Sequence, residues 1–150
     1  GSHPHVLQPI ERRIVRRDGE PDNPREVFIA WSMGNFVSSQ KHRDNSREWV
    51  DGSMLLNLEL GRDNTGRARV SAATGVPLYV RWSSENIRVL AVADGLTDGG
   101  RDRYGLSDYD IDRMTALEAW VPGQFTRYLG SLPARRVGAG WRVEFPSMNR

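Results

Sequence analysis

Apolar and polar positions divide this chain into strand-like segments in its first two thirds and a helical segment after them. Residues 27–31 are apolar at every position, a pattern that predicts a central strand covered on both faces. Ahead of it, residues 11–17 read as a short exposed strand with a charged rim, and 18–24, dense in turn formers, as a surface loop. Met54, Leu56, Leu58 and Leu60 alternate with polar residues, with Leu55 alone out of phase, so 53–60 predicts an amphipathic strand. A turn over 61–66 leads to a return strand over 67–73, and two more strands are expected at 76–82 and 87–92. The short connections make these an antiparallel meander, and Pro77 places the start of its strand at an edge or a bulge.

Between these segments, 40–52 lacks a period and reads as a loop, with a helical turn over 36–40 before it. Residues 93–103, rich in Gly and Asp, predict a linker. Ser107 with Asp108 and Asp110 is a helix start, and Ile111, Met114, Leu117 and Trp120 follow at helical spacing. Pro122 is expected to end or kink that helix, leaving a second helical stretch over 123–129. The tail predicts one strand at 141–145 and is otherwise irregular. The expected class is α/β, α+β-like in its order, with a mixed or antiparallel sheet and C-terminal helices. Residues 1–93 and 94–150 form two parts of one domain.

Composition narrows the function classes. At 150 residues and 38% hydrophobic content, with mean hydropathy −0.58, the chain has enough apolar surface for a modest single core. No apolar run approaches a bilayer span, and the first residues lack the layout of a signal peptide. With no cysteine, disulfides and thiol chemistry are excluded. The net charge of +2 comes from 21 basic and 19 acidic residues spread along the chain, which argues against nucleic acid as a partner. Lys41 is the only lysine, and arginine's planar fork suits carboxylate and phosphate, although a GC-rich genome gives the same bias.

Candidate chemistry sits at the start. His3 and His5 are one residue apart, and in an extended segment their side chains point the same way, toward one metal ion or two neighbouring ones. A Gly-Ser-His start is also what expression tags leave behind, so the pair alone is a weak signal. His42, between Lys41 and Arg43, reads as an ordinary exposed side chain.

The block Gly1-Ser2-His3-Pro4-His5-Val6-Leu7-Gln8-Pro9-Ile10-Glu11, followed by Trp31-Ser32-Met33-Gly34-Asn35-Phe36-Val37-Ser38-Ser39-Gln40, resembles the C-terminal part of bacterial capsule-synthesis proteins of the poly-gamma-glutamate (CapA-like, PGA-cap) family. The resemblance covers roughly residues 1–90 and implies the calcineurin-like metallophosphoesterase superfamily, with this chain as the C-terminal half of its α/β/β/α sandwich. It implies His3 and His5 as metal ligands, Ser32, Asn35 and Gln40 near the site, and a divalent Mn, Fe or Zn ion as cofactor. Further implications are a cell-envelope or extracellular location and, as partner, a missing N-terminal half or another copy of the chain. The family's earlier metal motifs have no match here, so the isolated chain is expected to be catalytically inert. The alternative is a non-catalytic assembly fragment or binding module in which Arg12, Arg13, Arg16 and Arg17 hold an anionic polymer such as polyglutamate.

Overall fold

A computed structural model describes residues 4–41, 49–129 and 132–146, with the backbone alone for 17 and 20–22. Its first element is a two-stranded antiparallel ribbon, β1 (Ile10–Arg17) and β2 (Glu20–Ala30), joined by Asp18 and Gly19. Gly19 takes φ +82°, a left-handed conformation that a side chain would strain. Two expectations change here. Most of 18–24 is strand, because pairing of Val15 with Arg25 and Arg17 with Glu20 overrides local turn propensity. Residues 27–31 do not form a central strand, because among the described residues β1 is the only ladder partner of β2. Phe28 and Ala30 pack on the core, alternation turns Val27 and Ile29 to the other face, and Trp31 is exposed.

The second sheet is built on one long strand. In it β3 (Gly52–Arg62) pairs along nearly the whole of β4 (Ala68–Trp82). On its other edge β4 pairs first with β7 (Gly140–Glu144), at 72–75, and then with β5 (Ile87–Ala91), at 78–82. A short outer strand, β6 (Arg135–Val137), pairs with β7. Every ladder among the described residues is antiparallel, so the class is mixed α and β with antiparallel sheets.

The two strands expected at 67–73 and 76–82 are therefore one, and Pro77 lies in mid-strand. Its position explains the tolerance. Met54, opposite Pro77, donates its N–H to Met33 O (3.0 Å), away from β4, so Pro77 and Met54 are a pair without ladder bonds. The Pro77 nitrogen then faces the gap between β7 and β5, where no donor is required.

The expected linker contains two short helices, α1 (Val92–Gly95) and α2 (Gly100–Tyr104). The main helix, α3 (Asp108–Thr126), starts at Ser107, whose hydroxyl accepts from Asp110 N (3.2 Å) while Asp110 Oδ2 accepts from Ser107 N (2.9 Å). Pro122 does not end the helix as one expectation had it, since α3 continues past it to Thr126. Met114, Leu117, Val121 and Phe125 form a buried stripe on both sides of the proline, and their burial, about 1.5–3 kcal/mol each, outweighs one lost helical bond. The tail, expected to hold one strand, supplies the β6–β7 hairpin. Phe145, just beyond β7, meets Phe28 of the ribbon at 5.8 Å between ring centroids. No helix among the described residues is long and apolar enough to cross a membrane.

Candidate functional site

The segment following β2 is held from two sides. Gln8 N donates to Ser32 O (2.9 Å), Leu7 bridges to Met33, and Gly34 bridges to Ser53 at the start of β3. Gly34 has φ +75°, and a Cβ there would lie 2.5 Å from Gly52 O, so neither the conformation nor the space admits a side chain. This clamp delivers Asn35 into a buried position, where its Nδ2 donates to Val50 O at 2.8 Å.

That bond sets the orientation of the whole amide. With the amide nitrogen committed to a carbonyl, Oδ1 faces His5 Nδ1 at 2.8 Å, and only a protonated Nδ1 can bond to it. The neutral imidazole therefore keeps its lone pair on Nε2. This is the arrangement in which a histidine coordinates a metal through one nitrogen while the other is anchored. His5 has φ +58°, uncommon for a residue with a side chain. The extended geometry expected to align it with His3 therefore does not hold at His5, and His3 itself lies outside the described residues, as does His42.

Ser32 is buried and its hydroxyl accepts from Gly34 N (3.2 Å), which ties it to the same turn. Gln40 Oε1 is buried with no hydrogen bond to the described residues. The arginines separate by strand alternation. Arg12 pairs with Glu26 (2.7 Å) and lies 4.7 Å over the Phe145 ring, whereas Arg13 pairs with Glu11 on the opposite face, beside Trp31. Bonds from Arg13 and then from Trp31 hold the Glu11 carboxyl below its ordinary range. Arg16 is exposed, and the side chain of Arg17 lies outside the described residues. Arg12 and Arg13 thus face opposite sides of the ribbon.

Among the described residues no three His, Cys, Asp or Glu side chains gather where a metal would bind. One imidazole and an amide do not make a two-metal site, so the described donor set does not fit such a centre unaided.

A second polar constellation lies one residue from Val50. Asp51 is buried and receives Arg113 Nε (2.9 Å) and a terminal nitrogen (2.8 Å) in a bidentate pair. Arg113 also lies 4.8 Å over Trp49, which stacks on Trp120 at 4.6 Å. Tyr79 donates to Asp110 Oδ1 (2.7 Å), and burial, then the Asp110 bond, pushes the phenol upward. Burial works to raise Asp110, but bonds from Ser107 and Tyr79 outweigh it and hold the carboxyl below its ordinary value. Asp51, Tyr79, Arg81 and Asp110 line a cavity of about 510 Å³. Sequence reasoning missed this network, since partners 62 and 31 positions apart leave no spacing signal.

Residues 1–40 match the family described as bacterial capsule synthesis protein PGA_cap. The match supports a capsule-synthesis family for this chain. It contains His5, Ser32, Asn35 and Gln40 and stops ahead of β3. No curated protein and no solved structure matches the chain.

Proposed function

We propose that the chain serves capsule synthesis by presenting His5, together with His3, to a metal-dependent phosphoester site whose carboxylate ligands come from outside these residues. The observation that carries this reading is the Val50–Asn35–His5 relay, which fixes the imidazole tautomer and leaves Nε2 available. Asn35 acts as the positioning residue, and the Gly34 turn holds it in place. A bound divalent ion would supply hydroxide and a clamp for phosphoryl oxygens. The cell envelope is the location this reading favours.

Titration of the chain with Zn²⁺, followed by ¹⁵N resonances of the imidazoles, tests the reading. The expected result is a shift centred on His5 Nε2, with Asn35→Ala weakening Zn²⁺ affinity about tenfold. A His5 signal that ignores millimolar Zn²⁺ sinks the metal assignment. The isolated chain is expected to leave a phosphodiester substrate intact with added Mn²⁺. Turnover abolished by His5→Ala would show instead that these 150 residues suffice.

A further inference from the structure

Two large aromatic side chains stand exposed beside the start of β1, Trp31 at 45% and Tyr128 at 56% of their surface. Both line a shallow groove of about 550 Å³ that shares no residue with the histidine turn, a volume within the range of small-molecule sites, about 300–1,000 Å³. The groove lies where the end of β2 and the chain just after α3 meet the start of β1. Tyr128 is joined to Glu11 of β1 by a parallel bridge, and Leu129 next to it is buried, so the backbone under the phenol ring is anchored.

Trp31 is held by its own polar edge. Its Nε1 donates to Glu11 Oε2 at 2.9 Å, and Glu11 also takes Arg13. With the indole N–H spent inside the protein, what the side chain presents outward is ring face and C–H edge. An exposed ring already held in one orientation loses little freedom when a ligand stacks on it. Arg13 lies 6.0 Å from the Trp31 ring centroid and Arg127 5.8 Å from that of Tyr128, at the outer limit of about 6 Å for such contacts, so the guanidiniums flank the rings and leave them open. The Gln8 side chain and the Tyr128 hydroxyl make no hydrogen bond to the described residues, and Arg127 makes no ion pair with them. The groove therefore sets two anchored rings among planar donors, Arg13 and Arg127, and acceptors, Gln8 and Glu11.

We propose that this groove binds a short neutral oligosaccharide whose pyranose rings stack on Trp31 and Tyr128. The C–H bonds on one face of a pyranose are polarised by the neighbouring oxygens and meet the negative face of an aromatic ring. Its hydroxyls both donate and accept, as the mixed lining requires. The acceptors set this ligand apart from a polyproline helix, whose prolines have no N–H to offer them. An anionic ligand is disfavoured, because Glu11 lies in the groove and bonds from Arg13 and then Trp31 keep its carboxyl ionised. The inference does not rest on the histidine reading, and either stands if the other fails.

Titration of the chain with cellotetraose, chitotetraose and maltotetraose, followed by the ¹⁵N–¹H signal of the Trp31 indole, tests it. At least one should bind at millimolar concentration and shift that signal, with affinity changing less than about twofold between low and high salt. Saturation transfer to the sugar protons reads the variants. Trp31→Ala and Tyr128→Ala should each weaken binding about fivefold, and the two combined more than about tenfold. Tyr128 makes no side-chain hydrogen bond, so its variant remains informative if Trp31→Ala disturbs the ribbon. Phe36→Ala, which removes an exposed ring outside the groove, should change affinity less than about twofold. No shift with any of the three sugars, equal loss with Phe36→Ala, loss of binding at high salt, or equally tight binding of a proline-rich peptide would overturn the proposal.

Discussion

The Asp51–Arg113–Tyr79–Asp110 network and the Ser32–Asn35–His5 turn are neighbours, joined through Val50 and Asp51, yet they use their polar groups differently. In the network the partners close on one another: both Asp51 oxygens take Arg113, and both Asp110 oxygens are bonded, to Tyr79 and to Ser107. Its bonds tie helix α3 to strand β4 and to the start of β3, which is a structural outcome. In the turn the sequence of bonds ends at an imidazole nitrogen without a partner among the described residues. Buried polar groups satisfied within the fold specify packing, whereas a relay that leaves one site open points outward to chemistry.

The largest effect that separates the two regions comes from Arg113→Ala. It strands the Asp51 carboxylate in a buried position, and about 3 kcal/mol of stability should be lost. Urea unfolding measures this, and the ¹⁵N signal of the His5 imidazole should stay unchanged. A loss below about 1 kcal/mol would mean that the pair behaves as an exposed one.

Gly34→Ala attacks the other region. A left-handed backbone and a Cβ 2.5 Å from Gly52 O both oppose it, at a cost of about 2 kcal/mol. The turn that delivers Asn35 should shift, so the His5 imidazole signal changes while the near-ultraviolet circular dichroism of the Trp49–Trp120 stack is retained.

These contrasts also separate what the amino-acid pattern discloses from what it conceals. The strand over 53–60 and the Ser107 cap are local features and both appear where the pattern puts them, but the expected apolar face is buried only at Met54 and in part at Leu56, with Leu58 and Leu60 exposed. The strand through Asp22, Asn23 and Pro24 was concealed because it is enforced by β1 across the ribbon, against local propensity. Pro122 misled for a related reason, since the buried side chains on both sides of it hold α3 together. In the site, Asn35 entered through the family resemblance, as spacing does not announce a contact across 30 positions. Asp51 and Arg113 had neither kind of signal.

A smaller effect is expected from Tyr79→Phe, which removes one bond to Asp110 and should cost about 1 kcal/mol at neutral pH. The sign of its pH dependence comes from Asp110. A folded-state pKa below the unfolded one gives stability that is present above the unfolded value, about 3.9, and is lost as pH falls through the folded one. The wild-type unfolding midpoint should therefore drop in acid below about pH 4. In Tyr79→Phe the drop should be shallower, because one of the bonds that lowers Asp110 is gone. Parallel acid limbs would show that Tyr79 does not stabilise the ionised carboxylate.

The smallest difference concerns strain at His5. Both His5→Ala and His5→Gly remove the imidazole and leave Asn35 Oδ1 without its partner, so that loss cancels between them. What remains is the left-handed backbone at φ +58°, which alanine resists and glycine accepts. If the turn holds His5 in that conformation, the glycine variant should be more stable than the alanine variant by about 1 kcal/mol in urea unfolding. Glycine's greater freedom in the unfolded chain works against this order, so a glycine advantage reports backbone strain directly. An alanine advantage would mean that residue 5 relaxes to an ordinary conformation once the Asn35 bond is gone, with the bond itself holding the strained backbone.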